Sequence, residues 1–220
     1  MTGQSPRPPE DFTGAPWPAD AASPTDRLRS GIRTYATRDA VRLRDHHARL
    51  ADGQAPTHLF LTCSDSRVVP SLITGSGPGD LFVVRNIGNL VPVHDRGDVS
   101  VAAAIDFAVG VLGVQAITVC GHSRCGAMTA LLRGDDLTPA LRDWLIHAES
   151  SLRRAPGTGL DRLCRENVHQ QLDNLMTYPI VRERVDRGEL ELVPMFMDVA
   201  TGTPELLGPT HQRATTLRGR

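Results

Sequence analysis

Short apolar runs alternate with helix-length stretches along this chain, and that alternation constrains its fold more than any other feature. His58-Leu-Phe-Leu-Thr62, Leu81-Phe-Val-Val-Arg85 and Ala116-Ile-Thr-Val-Cys120 are apolar at consecutive positions. Such runs suit strands buried on both faces, as in a parallel sheet. Two short helices are expected before Gly53, which closes the second. Ser100 can cap a helix through Val101, Ala104, Ile105, Ala108 and Leu112 that ends at Gly113. Another helix is expected to start around Ser123. The spacing of Leu141, Trp144, Leu145 and Ala148 marks the stripe of a further one, and Leu163, Val168, Leu172, Leu175 and Met176 mark a longer one. Pro179 can open a last helix that ends at Gly188. Leu190 to Val199 reads as a final strand, and Pro194 within it cannot donate to a ladder, so an edge position is expected. Strands alternating with helices give an α/β domain with a mostly parallel sheet.

A length of 220 residues suits one domain with a substantial core. Residues 1–25 are polar and carry Pro6, Pro8, Pro9, Pro16, Pro18 and Pro24, which predicts a flexible arm. The folded domain is expected over 26–207, with a frayed basic tail at 208–220. The formal net charge of -1 gives no global basic field for nucleic acid or an anionic membrane. The longest apolar run, Val109 to Val119, is broken by Gly110, Gly113 and Gln115 and falls short of the ~20 residues of a membrane span. Met1 to Asp26 lacks an apolar signal core, so the expected compartment is the cytoplasm. Disulfides are uncommon there, which leaves Cys63, Cys120, Cys125 and Cys164 as metal ligands, reactive thiols or small buried hydrophobes.

Two polar segments, Cys63-Ser-Asp65-Ser-Arg67 and Cys120-Gly-His122-Ser-Arg-Cys125-Gly126, follow directly on apolar runs. Residues just past the carboxyl ends of neighbouring strands converge in an open α/β sheet. Cys63, His122 and Cys125 can therefore meet, and two sulfurs with one imidazole suit zinc, leaving a fourth position for water or substrate. Cys125, in the first turn of the expected helix, gains thiolate character from the helix dipole. Taken singly, each feature has a plainer reading: a His-x-x-Cys spacing arises by accident, and Asp65 with Arg67 makes an ordinary loop ion pair. Cys120 and Cys164 read as small hydrophobes. The conjunction at two strand ends favours a site.

At these residues the sequence resembles the beta-class carbonic anhydrases. The resemblance extends through Gly53-Gln54-Ala-Pro56, Cys63-Ser-Asp-Ser-Arg-Val68, Pro78-Gly-Asp-Leu-Phe-Val-Val-Arg-Asn86, Gly88-Asn-Leu-Val-Pro92, Ala104-Ile-Asp-Phe-Ala-Val109 and Gly121-His-Ser-Arg-Cys-Gly-Ala-Met128, in family order. It implies a central four-stranded, mostly parallel sheet with an added edge strand, flanked by helices. It also implies a homodimer or higher homo-oligomer in which N-terminal helices reach across to the partner. Cys63, His122 and Cys125 would hold one Zn2+ per subunit. Asp65 would accept a hydrogen bond from the zinc-bound hydroxide and be held by Arg67. Gln54, Phe82, Ile87, Phe107 and Gly126 would line the substrate pocket, partly from the neighbouring subunit. Phe107 stands where many relatives have tyrosine. Some relatives carry a regulatory bicarbonate site of tryptophan, arginine and tyrosine. Arg85 matches its arginine, but Phe60 and Met197 occupy the other positions, so that site is expected to be missing and Asp65 to stay off the metal.

The implied activity is reversible hydration of carbon dioxide to bicarbonate and a proton. A carbonyl sulfide or carbon disulfide hydrolase would use the same scaffold, and a structural zinc protein is a third reading. A closed structural site needs four protein ligands, and Asp65, the nearby candidate, already has Arg67 as a partner. His94 reads as a solvated loop residue with no part in proton transfer.

Overall fold

The computed structural model describes residues 23–95, 98–157 and 159–208. Strand β1 (His58–Cys63) lies between two parallel neighbours, β2 (Leu81–Asn86) and β3 (Ala116–His122). Beyond β3 runs β4 (Glu191–Asp198), also parallel, and β5 (Thr203–Leu206) closes that side antiparallel, giving the order β2-β1-β3-β4-β5. Four parallel strands with one added edge strand is the architecture the sequence resemblance implies. Every residue of β3 is buried, which is why its run reads as continuously apolar rather than alternating.

The helices are α1 (Pro24–Thr34), α2 (Ala40–Arg42), α3 (Arg44–Leu50), α4 (Pro70–Thr74), α5 (Val99–Asp106), α6 (Gly126–Arg133), α7 (Pro139–Leu145), α8 (Glu149–Arg154), α9 (Leu160–Leu175) and α10 (Pro179–Asp186). On one sheet face Leu59, Leu61, Ile117, Val119 and Phe196 join the main core with Ile105, Leu163 and Val168. The other face carries a smaller cluster of Phe60, Cys120, Met195 and Met197. This is the two-residue period of a strand expressed as two apolar layers. Helix α9 packs against β3 and β4, and a Cβ on Gly121 would lie 2.5 Å from Val168 Cγ2. Only glycine permits that approach.

Four sequence expectations change. Pro194 does not place β4 at an edge, because β5 lies beyond it. The Pro194 carbonyl accepts from Leu207 N at 2.9 Å. Its ring nitrogen therefore faces the fading end of β5, and the ladder to β3 loses nothing. The cap of α5 is Asp98, whose carboxylate accepts from Val101 N at 2.7 Å, rather than Ser100. The helix expected from Ser123 begins at Gly126, with Cys125 as its N-cap. Among the described residues, regular structure starts at Pro24, because Ser23 Oγ accepts from Asp26 N at 3.1 Å and proline suits the first helical position. The rest of the proposed arm, and the tail beyond residue 208, lie outside the described residues. Helix α1 buries none of its residues, and Leu28 and Ile32 stand more than half exposed. No helix among the described residues is long and apolar enough to cross a membrane.

Candidate metal centre

Chain order reverses between β1 and β3, since β2 lies on one side of β1 and β3 on the other. The crevice at the carboxyl ends of such a pair is where ligands bind in open α/β sheets. Cys63 is the last residue of β1 and His122 the last of β3. Register brings them together: Thr62 faces Cys120, so Cys63 lies beside Gly121 and His122. A tight turn through Arg124, at φ 55, then returns Cys125 to the same point.

Candidate ligand atoms of Cys63, His122 and Cys125 all lie within 4.8 Å of one another, and all three residues are buried. His122 Nδ1 lies 2.9 Å from the Ser123 carbonyl. A carbonyl can only accept, so Nδ1 carries the proton and Nε2 presents a lone pair. That Nε2 is buried without a hydrogen-bond partner. An orphaned lone pair between two thiols is costly unless a cation accepts it. The Cys63 thiol is pulled down, first by the hydrogen bond from Cys125 and also, against burial, by the Gly88 N–H. Cys125 is pushed up by that bond to Cys63 and by burial. Without a cation the pair shares one proton; a cation between the sulfurs lets both ionise. The donor set thus fits a soft or borderline divalent metal.

Asp65 and Arg67 form a two-pronged pair: Arg67 Nε donates to Oδ1 at 2.8 Å and an Nη2 donates to Oδ2 at 2.7 Å. The Arg67 backbone N–H adds a third bond to Oδ1 at 3.0 Å. The Arg67 guanidinium holds the Asp65 carboxyl well below the usual carboxylate range. Asp65 Oδ2 stands 3.8 Å from His122 Nε2, so the carboxylate faces the cluster while bonded to arginine. Arg67 also donates to the Arg124 carbonyl at 3.2 Å, which ties the two ligand-bearing loops together.

Three residues support the site through contacts that the sequence did not indicate. Arg85 donates to the carbonyls of Cys63, at 3.1 Å, and Asp65, at 2.7 Å, and so braces that turn. Gly88 donates its N–H to Cys63 Sγ at 3.4 Å from a backbone with φ 81. Ser123 Oγ accepts from Val199 N at 2.9 Å and pins the loop after β3. A glycine two residues past the end of β2 was the legible signal for Gly88. Cys120 and Cys164 are the buried small hydrophobes expected, their thiols pushed up by burial to about 12 and about 11. His94 is less free than expected, because it pairs with Asp95 at 3.0 Å and meets the Tyr178 ring edge-on.

The pocket residues divide. Ile87 adjoins Gly88, with its carbonyl held by Trp144 Nε1 at 2.7 Å, and Gly126 follows the ligand Cys125. Phe82 is at the other end of its strand. It faces Leu59 while Asn86 faces Cys63, four residues on, or ~13 Å along a strand. It pairs with Phe107 at a ring-centroid distance of 5.8 Å. Gln54 and Phe107 are exposed.

The carbonic anhydrase family model matches residues 58–204. A carbonic anhydrase of Synechococcus elongatus is 41% identical, with 80% of this chain and 69% of the relative covered. One of Pseudomonas aeruginosa is 43% identical, covering 76% of this chain and 80% of its own length. Among solved structures, the beta-carbonic anhydrase CcaA superposes with a TM-score of 0.79 at 35% identity, over 86% of this chain and 93% of that one. One of two tetrameric beta-carbonic anhydrases of Sordaria macrospora gives 0.74 at 32% identity, over 82% and 95%. With fold, sequence and strand-end cluster in agreement, the chain belongs to the beta-class carbonic anhydrases.

Proposed function

We propose that this carbonic anhydrase holds one zinc ion through Cys63 Sγ, His122 Nε2 and Cys125 Sγ, and that it hydrates carbon dioxide reversibly to bicarbonate and a proton. The observation that carries the reading is the buried, unpartnered Nε2 of His122 facing two thiols. When bound, zinc lowers the pKa of water from ~15.7 to ~7 and so supplies a nucleophile at neutral pH. Asp65, ionised, can only accept a hydrogen bond, so it orients an attacking water and does not donate to a competing anion. Arg67 engages both carboxylate oxygens, which supports Asp65 standing off the metal. A structural zinc site would need that carboxylate as its fourth protein ligand.

Ile87 and Gly126 line the carbon dioxide pocket from the same chain. Gln54, Phe82 and Phe107 line it from the neighbouring subunit, a division supported by Phe82 sitting at the far end of β2. The protein is accordingly a homo-oligomer, and the exposed apolar face of α1 supports an arm that packs on the partner. Phe60 and Met197 lie in an apolar cluster while Arg85 is engaged with backbone carbonyls, which supports the loss of a regulatory bicarbonate site. Four buried free cysteines suit a reducing cytoplasm.

The test is stopped-flow carbon dioxide hydration with metal analysis on the purified protein, beside a Cys63→Ala variant. The expected result is about one zinc per chain with hydration activity, both lost in the variant. A zinc-loaded protein that releases sulfide from carbonyl sulfide but leaves carbon dioxide untouched would move the substrate assignment.

A further inference from the structure

Helix α9 turns a row of carboxamides, Asn167, Gln171 and Asn174, into the core, all buried. The spacing is i, i+4, i+7, so they share one helix face. Burying three amides is unfavourable unless every polar atom is paired, and here each is. Asn167 Nδ2 donates to the Gly88 carbonyl at 3.0 Å, while its Oδ1 accepts from Ser151 Oγ and Gln171 Nε2, each at 2.9 Å. Gln171 Oε1 accepts from Val91 N at 2.8 Å, and Asn174 Nδ2 donates to the Val91 carbonyl at 2.7 Å. Gln170 Nε2 completes the set by donating to Asn174 Oδ1 at 2.8 Å.

The backbone these amides hold is the one whose first residue touches the metal cluster. Gly88 sits at φ 81, a conformation with little preference of its own in most residues, and its N–H points at Cys63 Sγ at 3.4 Å. A Cβ there would meet Ala127 Cβ at 3.1 Å. Two successive peptides are fixed here: Trp144 Nε1 holds the Ile87 carbonyl, whose peptide carries the Gly88 N–H, at 2.7 Å, and Asn167 holds the Gly88 carbonyl of the next. We propose that Asn167 is a positioning residue for the Cys63 thiolate: by anchoring the Gly88 carbonyl in the next peptide, it keeps the Gly88 backbone at the angles that leave its N–H on Cys63 Sγ, and so tempers the charge that sulfur donates to a metal. An N–H bond to a ligating sulfur withdraws electron density, and such outer contacts tune a site as its ligands do.

The inference rests on the metal-binding reading, and its test separates the two. Metal-free wild type, Asn167→Ala and Ser151→Ala are each loaded with cobalt(II), and the sulfur-to-cobalt absorption band and metal dissociation constant are measured. Ser151→Ala removes a bond to the same carboxamide but leaves the bond to Gly88. Asn167→Ala is expected to move the band to lower energy and weaken metal binding roughly tenfold, with Ser151→Ala unchanged in both. Equal effects in the two variants, or an unmoved band in Asn167→Ala, would overturn the positioning role. Wild type that takes up no metal would sink the metal reading itself. Should Asn167→Ala fail to fold, cadmium-113-loaded wild type decides: the Gly88 amide proton is expected to show coupling to the metal through Cys63, and its absence is the negative result.

Discussion

At the scale of single residues, the site depends on which groups can ionise and which are held. Asp65 is fixed by two side-chain bonds from Arg67, so its carboxyl stays charged well below the ordinary carboxylate range. Asp65→Asn keeps the shape but places an N–H donor where an acceptor is needed. Turnover is expected to fall on the order of 10²-fold or more while metal content stays at wild-type level, read by stopped-flow and metal analysis. The cysteine pair gives a second outcome. The bond between them lowers Cys63 and raises Cys125, so in the apoprotein at pH 8 the pair holds one proton. Metal uptake by the apoprotein at that pH should release about one proton per site, as calorimetry in buffers of different ionisation heat would show. The sign follows from the shifts: with falling pH the Cys63 thiolate is lost only near its lowered value, while the proton on Cys125 opposes binding throughout. Release of two protons would mean both thiols were protonated beforehand.

Among the elements, close backbone approaches and caps set the geometry. Gly121 lets α9 close on β3, so Gly121→Ala is expected to cost about 1–3 kcal/mol through the clash with Val168, measurable by denaturant unfolding. Asp98→Ala removes the cap of α5 and should cost ~1 kcal/mol with the metal site intact. Both residues illustrate the limits of pattern reading. The apolar runs located β1, β2 and β3 because buried parallel strands leave a direct compositional trace. The cap fell on Asp98 rather than Ser100 because both residue types can accept the first free N–H, and only the packed position of Val101 selects between them. Pro194 misled for a similar reason. Proline forbids one hydrogen bond on one side of a strand, and which side that is depends on register.

For the molecule as a whole, metal and assembly are separable from the fold. The core of Leu59, Ile117, Leu163 and Phe196 lies along the strands, while the ligand cluster sits at their ends. Removing the metal with a chelator should therefore lower Tm by the binding term but leave far-UV circular dichroism unchanged. Assembly is another matter, since Leu28 and Ile32, one helical turn apart on α1, enter no core among the described residues. A Leu28→Glu, Ile32→Glu protein is expected to run at lower mass in size-exclusion chromatography and to lose hydration activity. Retention of the wild-type mass would show that α1 does not bind a partner.

The sequence by itself determined the α/β class, four strands of the sheet, and the three metal-ligand candidates, because burial and ligand chemistry both act through residue type. Asp65 and Arg67 were legible through their spacing, but the two-pronged pairing and the reach of Arg67 to the Arg124 carbonyl were not. Only the tertiary structure decided that Phe82 lies at the far end of β2 from Cys63, and that Arg85 and Gly88 brace the Cys63 turn. It likewise decided that Asn167, remote in sequence, holds Gly88. These are relations between backbone groups, which every residue carries alike. Residue type says that such a group must be satisfied; register and packing choose the partner.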